Sequence, residues 1–146
     1  MLEDDPLDGK PCTHAGAYVE LAKTGRVSLI AAADVNEDRL AAFGGRFEAT
    51  SLYPDYRRML KEVRPDVVSV CAYATERFPM VMDAIDAGVR GIWCEKAFAS
   101  SLQEARIMTE ACAKDGIPLI VSHMRRWSPQ YRKVKEMMDA GAIGRL

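Results

Sequence analysis

Three short stretches hold side chains whose types and placing could do chemistry. Asp34 closes the run RVSLIAAAD. A carboxylate at the end of a buried strand, ahead of a helix, is where a dinucleotide fold takes hydrogen bonds from the adenosine ribose hydroxyls. Its charge also repels a 2′-phosphate, which favours NAD over NADP. The plainer alternative is a strand-end Asp that helps to cap the next helix. Glu95 and Lys96 close RGIWCEK, again at a strand's carboxyl end, where ligands bind in open α/β sheets. A lysine there could hold a substrate hydroxyl or carboxylate, or help to move a proton; the alternative is a salt-bridged surface pair. His123, Arg125, Arg126 and Trp127 follow another strand-like run. Arginine there could grip an anionic group by paired hydrogen bonds, or the segment could be a solvated basic turn with a structural histidine. Cys12 and His14 hint at a metal, but two His and four scattered Cys meet no zinc spacing, and no metal is expected. Met80, Met82 and Met108 read as packing.

The elements that must position these groups alternate. A helix capped by Thr13 runs to about Lys23, with Ala17, Tyr18, Leu21 and Ala22 on one face. A strand is expected over Arg26 to Asp34, nearly continuously apolar, as in a strand covered on both faces. Asn36 caps a short helix that Gly44-Gly45 should end, and a short strand follows near Glu48 to Ser51. A helix over Asp55 to Val63 carries Tyr56, Met59, Leu60 and Val63 at helical period. The strand Asp66 to Tyr73, a helix over Glu76 to Ala87 and the strand Arg90 to Cys94 come next. Ser101 and Glu104 form a capping-box pattern, opening a helix to about Lys114 whose buried stripe would be Leu102, Ala105, Met108 and Cys112. A strand over Ile117 to Ser122 and a helix over Pro129 to Ala140 complete the order α-β-α-β-α-β-α-β-α-β-α. Such alternation predicts an α/β fold, a doubly wound parallel sheet of Rossmann type.

Composition removes other classes. The 146 residues are 49% hydrophobic and 28% charged, with 20 Lys+Arg against 21 Asp+Glu, so disorder is a poor reading. No basic excess exists to neutralise a phosphate backbone, and no nucleic-acid partner is expected. The longest apolar run, Val27 to Ala33, is broken by Ser28 and falls far short of the roughly 20 residues that span a bilayer. The acidic opening offers no signal peptide. Cysteines 12, 71, 94 and 112 form no CxxC pair and sit in or beside apolar segments, as buried free thiols would. A reducing, cytoplasmic setting is expected.

The pattern begins with a helix, and no GxGxxG occurs. A doubly wound nucleotide fold needs a first strand and a glycine-rich turn there. The expectation is an incomplete domain over residues 1–146, truncated at its N-terminus and lacking a C-terminal substrate domain. Without the first strand it would expose two sheet edges.

The stretches VSLIAAADVNEDRLAAF, YPDYRRMLKEVRPDVVSVCA, AIDAGVRGIWCEKAFASSLQEA and IPLIVSHMRRWSPQYRKVKEMMDAGAIGRL stand in an order that resembles the nucleotide-binding half of the Gfo/Idh/MocA oxidoreductases. PDVVSV, CEK, RRWSP and GAIGRL are the most specific pieces. The resemblance implies hydride transfer between a nicotinamide and a hydroxyl or carbonyl carbon of a sugar, polyol or related molecule. It implies NAD as cofactor, with NADP possible because Arg39 lies near Asp34 in sequence. It places Asp34, with Asn36 and Arg39, at the adenosine ribose, and Ala72 and Tyr73 along the cofactor's middle. Glu95 and Lys96 match the family's Glu-Lys-Pro motif, with Lys96 as the catalytic candidate near nicotinamide and substrate. Arg126 matches the arginine of the turn before the last helix. The full-length protein would be a homo-oligomer.

Three departures bear on this. The glycine-rich loop is missing, residue 97 is Ala where the family has Pro, and Ala74-Thr75-Glu76-Arg77-Phe78 lacks the usual Thr-Pro and His. The alternatives are a non-catalytic nucleotide-binding or regulatory relative, or an inactive fragment.

Overall fold

Parallel strands cannot be joined by tight turns. Each pair needs a crossover, and a helix is the usual one. The computed structural model, which describes residues 11–49 and 51–144, follows this rule throughout. The helix α1 (His14–Ala22) precedes β1 (Ala31–Ala33), α2 (Glu37–Phe47), β2 (Ser51–Tyr53), α3 (Tyr56–Val63) and β3 (Val67–Val70). Then come α4 (Ala74–Asp86), β4 (Gly91–Cys94), α5 (Leu102–Lys114), β5 (Leu119–Val121), a 3₁₀ turn (Met124–Trp127) and α6 (Pro129–Asp139).

All pairings are parallel. β1 lies on β2 with Ala31 opposite Ser51, β3 on β4 with Val67 opposite Gly91, and β4 on β5 with Ile92 opposite Leu119. The strands form two sheets, β1-β2 and β3-β4-β5. Among the described residues no strand joins β1 to β3. The fold is the expected open α/β type with its sheet in two pieces.

The core belongs to the three-stranded sheet. Leu60, Val70, Val81, Ala84, Ile85, Val89, Ile92, Cys94, Met108 and Cys112 form one buried cluster. On α4, Arg77, Val81, Ala84 and Ile85 are buried, a spacing of i, i+4, i+7 and i+8 that lines one face of a helix. Gly88 closes this helix at φ +78, where a side chain would be strained.

Several expectations are corrected. The first strand covers Ala31–Ala33 alone, and Val27 and Ile30 are 36% and 44% exposed, because no neighbour on that side supplies hydrogen bonds. Gly44-Gly45 do not end α2, which continues to Phe47. A Cβ on Gly44 would sit 2.6 Å from Leu52 Cδ1, so the glycine lets the helix press onto β2. The next strand lies at Ser51–Tyr53 rather than Glu48 to Ser51. The fourth helix starts at Ala74, two residues before Glu76. On α1 the buried residues are Ala15 and Gly16, and Leu21 is exposed. Leu102 is 70% exposed and leaves the α5 stripe to Met108 and Cys112. Cys94 and Cys112 are buried free thiols, but the free thiol Cys71 is exposed because it lies beyond the end of β3.

Candidate functional site

In a parallel sheet every strand delivers the residue after its last hydrogen bond to the same end. Beyond β3 lie Ala72 and Tyr73, beyond β4 lie Glu95 and Lys96, and beyond β5 lie His123 to Trp127. Beyond β1, in the separate pair, lie Asp34 and Asn36.

At the β1 end, Asp34 N–H donates to Tyr53 O at 3.2 Å, which fixes the residue beside β2. Its carboxylate is engaged. Asp34 Oδ1 accepts from Asn36 N–H at 2.8 Å and from Arg39 Nη2 at 2.9 Å, and Oδ2 accepts from Arg39 Nε at 3.1 Å. The Arg39 hydrogen bond, with help from Asn36, holds the Asp34 carboxyl below its usual range against the opposing effect of burial. Asn36 spends its side chain as the N-cap of α2, accepting from Arg39 N–H at 2.8 Å. The hydrogen bond and charge of Asp34 in turn hold the Arg39 guanidinium above its usual range. Tyr73 is 81% exposed and precedes α4 without capping it by a side chain.

At the β4 end, Glu95 N–H donates to Val70 O at 3.0 Å, extending the ladder by one residue. Glu95 Oε2 accepts from Lys96 N–H at 3.0 Å, and Oε1 accepts from His14 Nε2 at 3.2 Å. The other ring nitrogen of His14 is 3.0 Å from Ser69 Oγ, which is 2.8 Å from the Tyr18 hydroxyl. One proton assignment satisfies the whole chain: Tyr18 O–H donates to Ser69, Ser69 O–H to a neutral His14 Nδ1, and Nε2–H to Glu95. The His14 ring also stacks on Trp93, with centroids 3.7 Å apart. Burial lowers the His14 pKa despite the Glu95 carboxylate.

Lys96 is exposed, and its ammonium enters no ion pair among the described residues. Its backbone is tied by contrast. Arg77, buried in α4, donates to the carbonyls of Ala97 and, at 3.1 Å, Lys96. Arg126 lies in the exposed 3₁₀ turn, its N–H donating to His123 O at 2.9 Å. Arg125 sits over the Tyr131 ring at 5.9 Å.

Sequence reasoning weighed His14 only as a metal hint beside Cys12, read Tyr18 only as part of a helix face, and gave Ser69 and Arg77 no site role. Arg77 left a signal, a cation in register with an aliphatic stripe. His14 left none, since its partners stand 55 and 81 residues away. A groove of about 480 Å³ between Arg57, Lys61, Arg64, Asp83 and Asp86 lies at the closing end of α4, away from these groups. No described set of three or more His, Cys, Asp or Glu residues is arranged to hold a metal ion. No described helix is long and apolar enough to cross a membrane.

Parallel strands joined by helices, with polar groups gathered beyond their carboxyl ends, define the class of open α/β nucleotide-binding folds. The chain belongs to the Gfo/Idh/MocA oxidoreductase family: its model, described as NAD-binding Rossmann fold, matches residues 12–123. D-apiose dehydrogenase from Paraburkholderia graminis is 37% identical over 116 residues, covering 80% of this chain and 31% of that protein. Inositol 2-dehydrogenase 3 from Saccharopolyspora erythraea is 32% identical over 117 residues, covering 80% and 34%. Among solved structures, an oxidoreductase from Agrobacterium radiobacter in complex with NAD+, L-tartaric acid and magnesium aligns with a TM-score of 0.76 at 28% identity, covering 82% of this chain and 34% of that one. The chain therefore spans about a third of the length of the relatives it matches.

Proposed function

We propose that residues 1–146 are the coenzyme-binding unit of an NAD-dependent dehydrogenase that oxidises a hydroxyl carbon of a sugar or polyol, or reduces the corresponding carbonyl. The observation that carries this reading is an exposed lysine beyond β4, without an ion pair among the described residues, in a chain that also presents a carboxylate beyond β1. Two of the similar proteins are dehydrogenases of apiose and inositol.

The residues present fit the coenzyme at its adenosine end. Asp34 is an ionised acceptor whose side chain is 34% exposed, suited to ribose hydroxyls, with Asn36 and Arg39 beside it. Ala72 and Tyr73 would line its middle, and Glu95, Lys96 and Arg126 its nicotinamide side. The coenzyme, when bound, supplies or takes the hydride. Lys96 would orient the reacting oxygen and share its proton. The substrate-binding and remaining proton-transfer groups would come from outside this unit. The protein would work in the cytoplasm as a homo-oligomer on a small molecule, without nucleic acid or membrane; the free thiols of Cys71, Cys94 and Cys112 support the reducing setting.

Arg39 gives NADP a route, because the ion pair that satisfies Asp34 also stores a guanidinium where a 2′-phosphate would lie. The test is titration with NADH and NADPH, read by nicotinamide fluorescence, in the wild type, Asp34→Ala and Lys96→Met, followed by turnover on a polyol panel with each substitution carried in the full-length protein. Asp34→Ala should shift preference toward NADPH by about tenfold, ~1.4 kcal/mol. Lys96→Met should keep NADH binding and lower turnover by roughly 10²–10⁴-fold. Ala97 in the place of the family's proline favours a second reading, a non-catalytic relative. Binding of NADH with no turnover by the full-length wild type on any polyol would select it.

A further inference from the structure

Arg77 stands where an aliphatic residue is expected. It shares the inner face of α4 with Val81, Ala84 and Ile85 and is 5% exposed. Among the described residues no carboxylate forms an ion pair with it. A buried guanidinium without a counter-charge is costly unless its donors are well used. Here two of its nitrogens are used on one short segment: one donates to Ala97 O, and Nη2 donates to Lys96 O. Nε finds no partner. An arginine placed only to fasten helix to sheet would be satisfied along its whole fork or replaced by an aliphatic side chain. This one leaves a donor unsatisfied and spends the rest on the backbone that carries Lys96.

The other half of the clamp comes from Glu95, which accepts from Lys96 N–H and is itself held by His14. Lys96 is thereby tied at its amide from one side and at its carbonyl from the other, while its ammonium stays free. The guanidinium also lies close enough to the buried Cys94 to oppose the rise that burial gives its thiol. That places its charge beneath the end of β4.

We propose that Arg77 is a positioning residue, which aims Lys96 by holding the carbonyls of residues 96 and 97. The functional part of this inference rests on the dehydrogenase reading above. The clamp itself does not.

Limited trypsin digestion of the whole chain reads the clamp directly, because trypsin cuts after Lys96. Cleavage there is compared with cleavage after Lys61, an exposed residue of α3 that Arg77 does not touch. Arg77→Met should raise the Lys96:Lys61 cleavage ratio at least tenfold. Arg77→Lys, which can keep one carbonyl, should raise it about threefold. An unchanged ratio in both variants overturns the proposal, and so does an equal rise at both sites, which would mean general loosening. Should circular dichroism show Arg77→Met unfolded, the Arg77→Lys ratio decides alone by the same rule. NADH titration of the wild type keeps the two ideas apart. No NADH binding with the protease contrast intact overturns the coenzyme reading and leaves the clamp standing. NADH binding without the contrast overturns the clamp alone.

Discussion

Glu95 and His14 are each pulled in two directions, and the balance differs between them. Burial raises the Glu95 carboxyl, but hydrogen bonds from Ser122, Lys96 N–H and His14 outweigh it and leave the pKa below the usual range. Burial lowers the His14 ring, and here it prevails over the carboxylate. Both shifts act on stability with the same sign. A histidine depressed in the folded state takes its proton first in the unfolded chain, so stability falls as pH drops below the ordinary 6.5 toward the folded value. A depressed carboxylate contributes stability above its unfolded 4.5 and loses it as pH falls through the folded value. Protonating His14 also forces the Ser69 hydroxyl to reverse, since Nδ1 then becomes a donor. Thermal melts should therefore show a midpoint that declines from pH 7 to pH 5. His14→Gln should flatten the upper part of that decline, and an unchanged slope would clear His14 of any part in it. None of this network could be read from the sequence, because its members meet only through tertiary structure. Asp34 and Lys96 were legible because the end of a strand is a position that sequence can locate.

At the scale of elements, caps were the most legible feature, being local by nature. The expected caps Thr13, Asn36 and Ser101 each accept from a backbone N–H three residues on, while Asp55, read as the first helical residue, proves to be the cap of α3. The expected capping box at α5 is modified: Ser101 Oγ accepts from Glu104 N–H at 3.1 Å, but the Glu104 carboxylate reaches Ser100 N–H and hydroxyl instead of closing on Ser101. Ser101→Ala should cost about 1 kcal/mol, read as a lower urea midpoint with unchanged slope. A loss of only a few tenths would mean that Ser100 and Glu104 hold the helix start between them. Strand starts were less legible. The run from Val27 to Ala33 has strand-like side chains along its length, yet only Ala31–Ala33 pairs. Side-chain pattern marks a stretch fit to be a strand, while a neighbouring strand decides where it is one.

The two sheets divide the molecule energetically as well as geometrically. The buried cluster joins β3, β4, α4 and α5, with Leu60 of α3. Outside it the buried hydrophobics are Ala15, Leu40 and Ala49, and of these only Leu40 is large. Apolar burial stabilises by about 25 cal/mol per Å², so nearly all of the hydrophobic stabilisation sits on the β3-β4-β5 side. Among the described residues β4 is the one strand paired on both edges, while β1 and β2 hold each other through three residue pairs. At the seam, Arg57 of α3 donates to Asp83 of α4 at 2.8 Å, and the Tyr56 hydroxyl donates to the same carboxylate at 2.6 Å. The Arg57 side chain is 62% exposed, and exposed pairs contribute little. The β1-β2 side should therefore open without the rest. Amide hydrogen exchange at neutral pH should show the amides of Trp93 and Cys94 slowest, with those of Ala32 and Ala33 at least tenfold faster. Joining the sheets with a strand between β1 and β3 should bring the two rates together, because each strand would then gain a second neighbour. Uniform protection across both sheets in the chain as it stands would mean that the seam carries more than its exposed pairs suggest, and the two-part description of the fold would have to be given up.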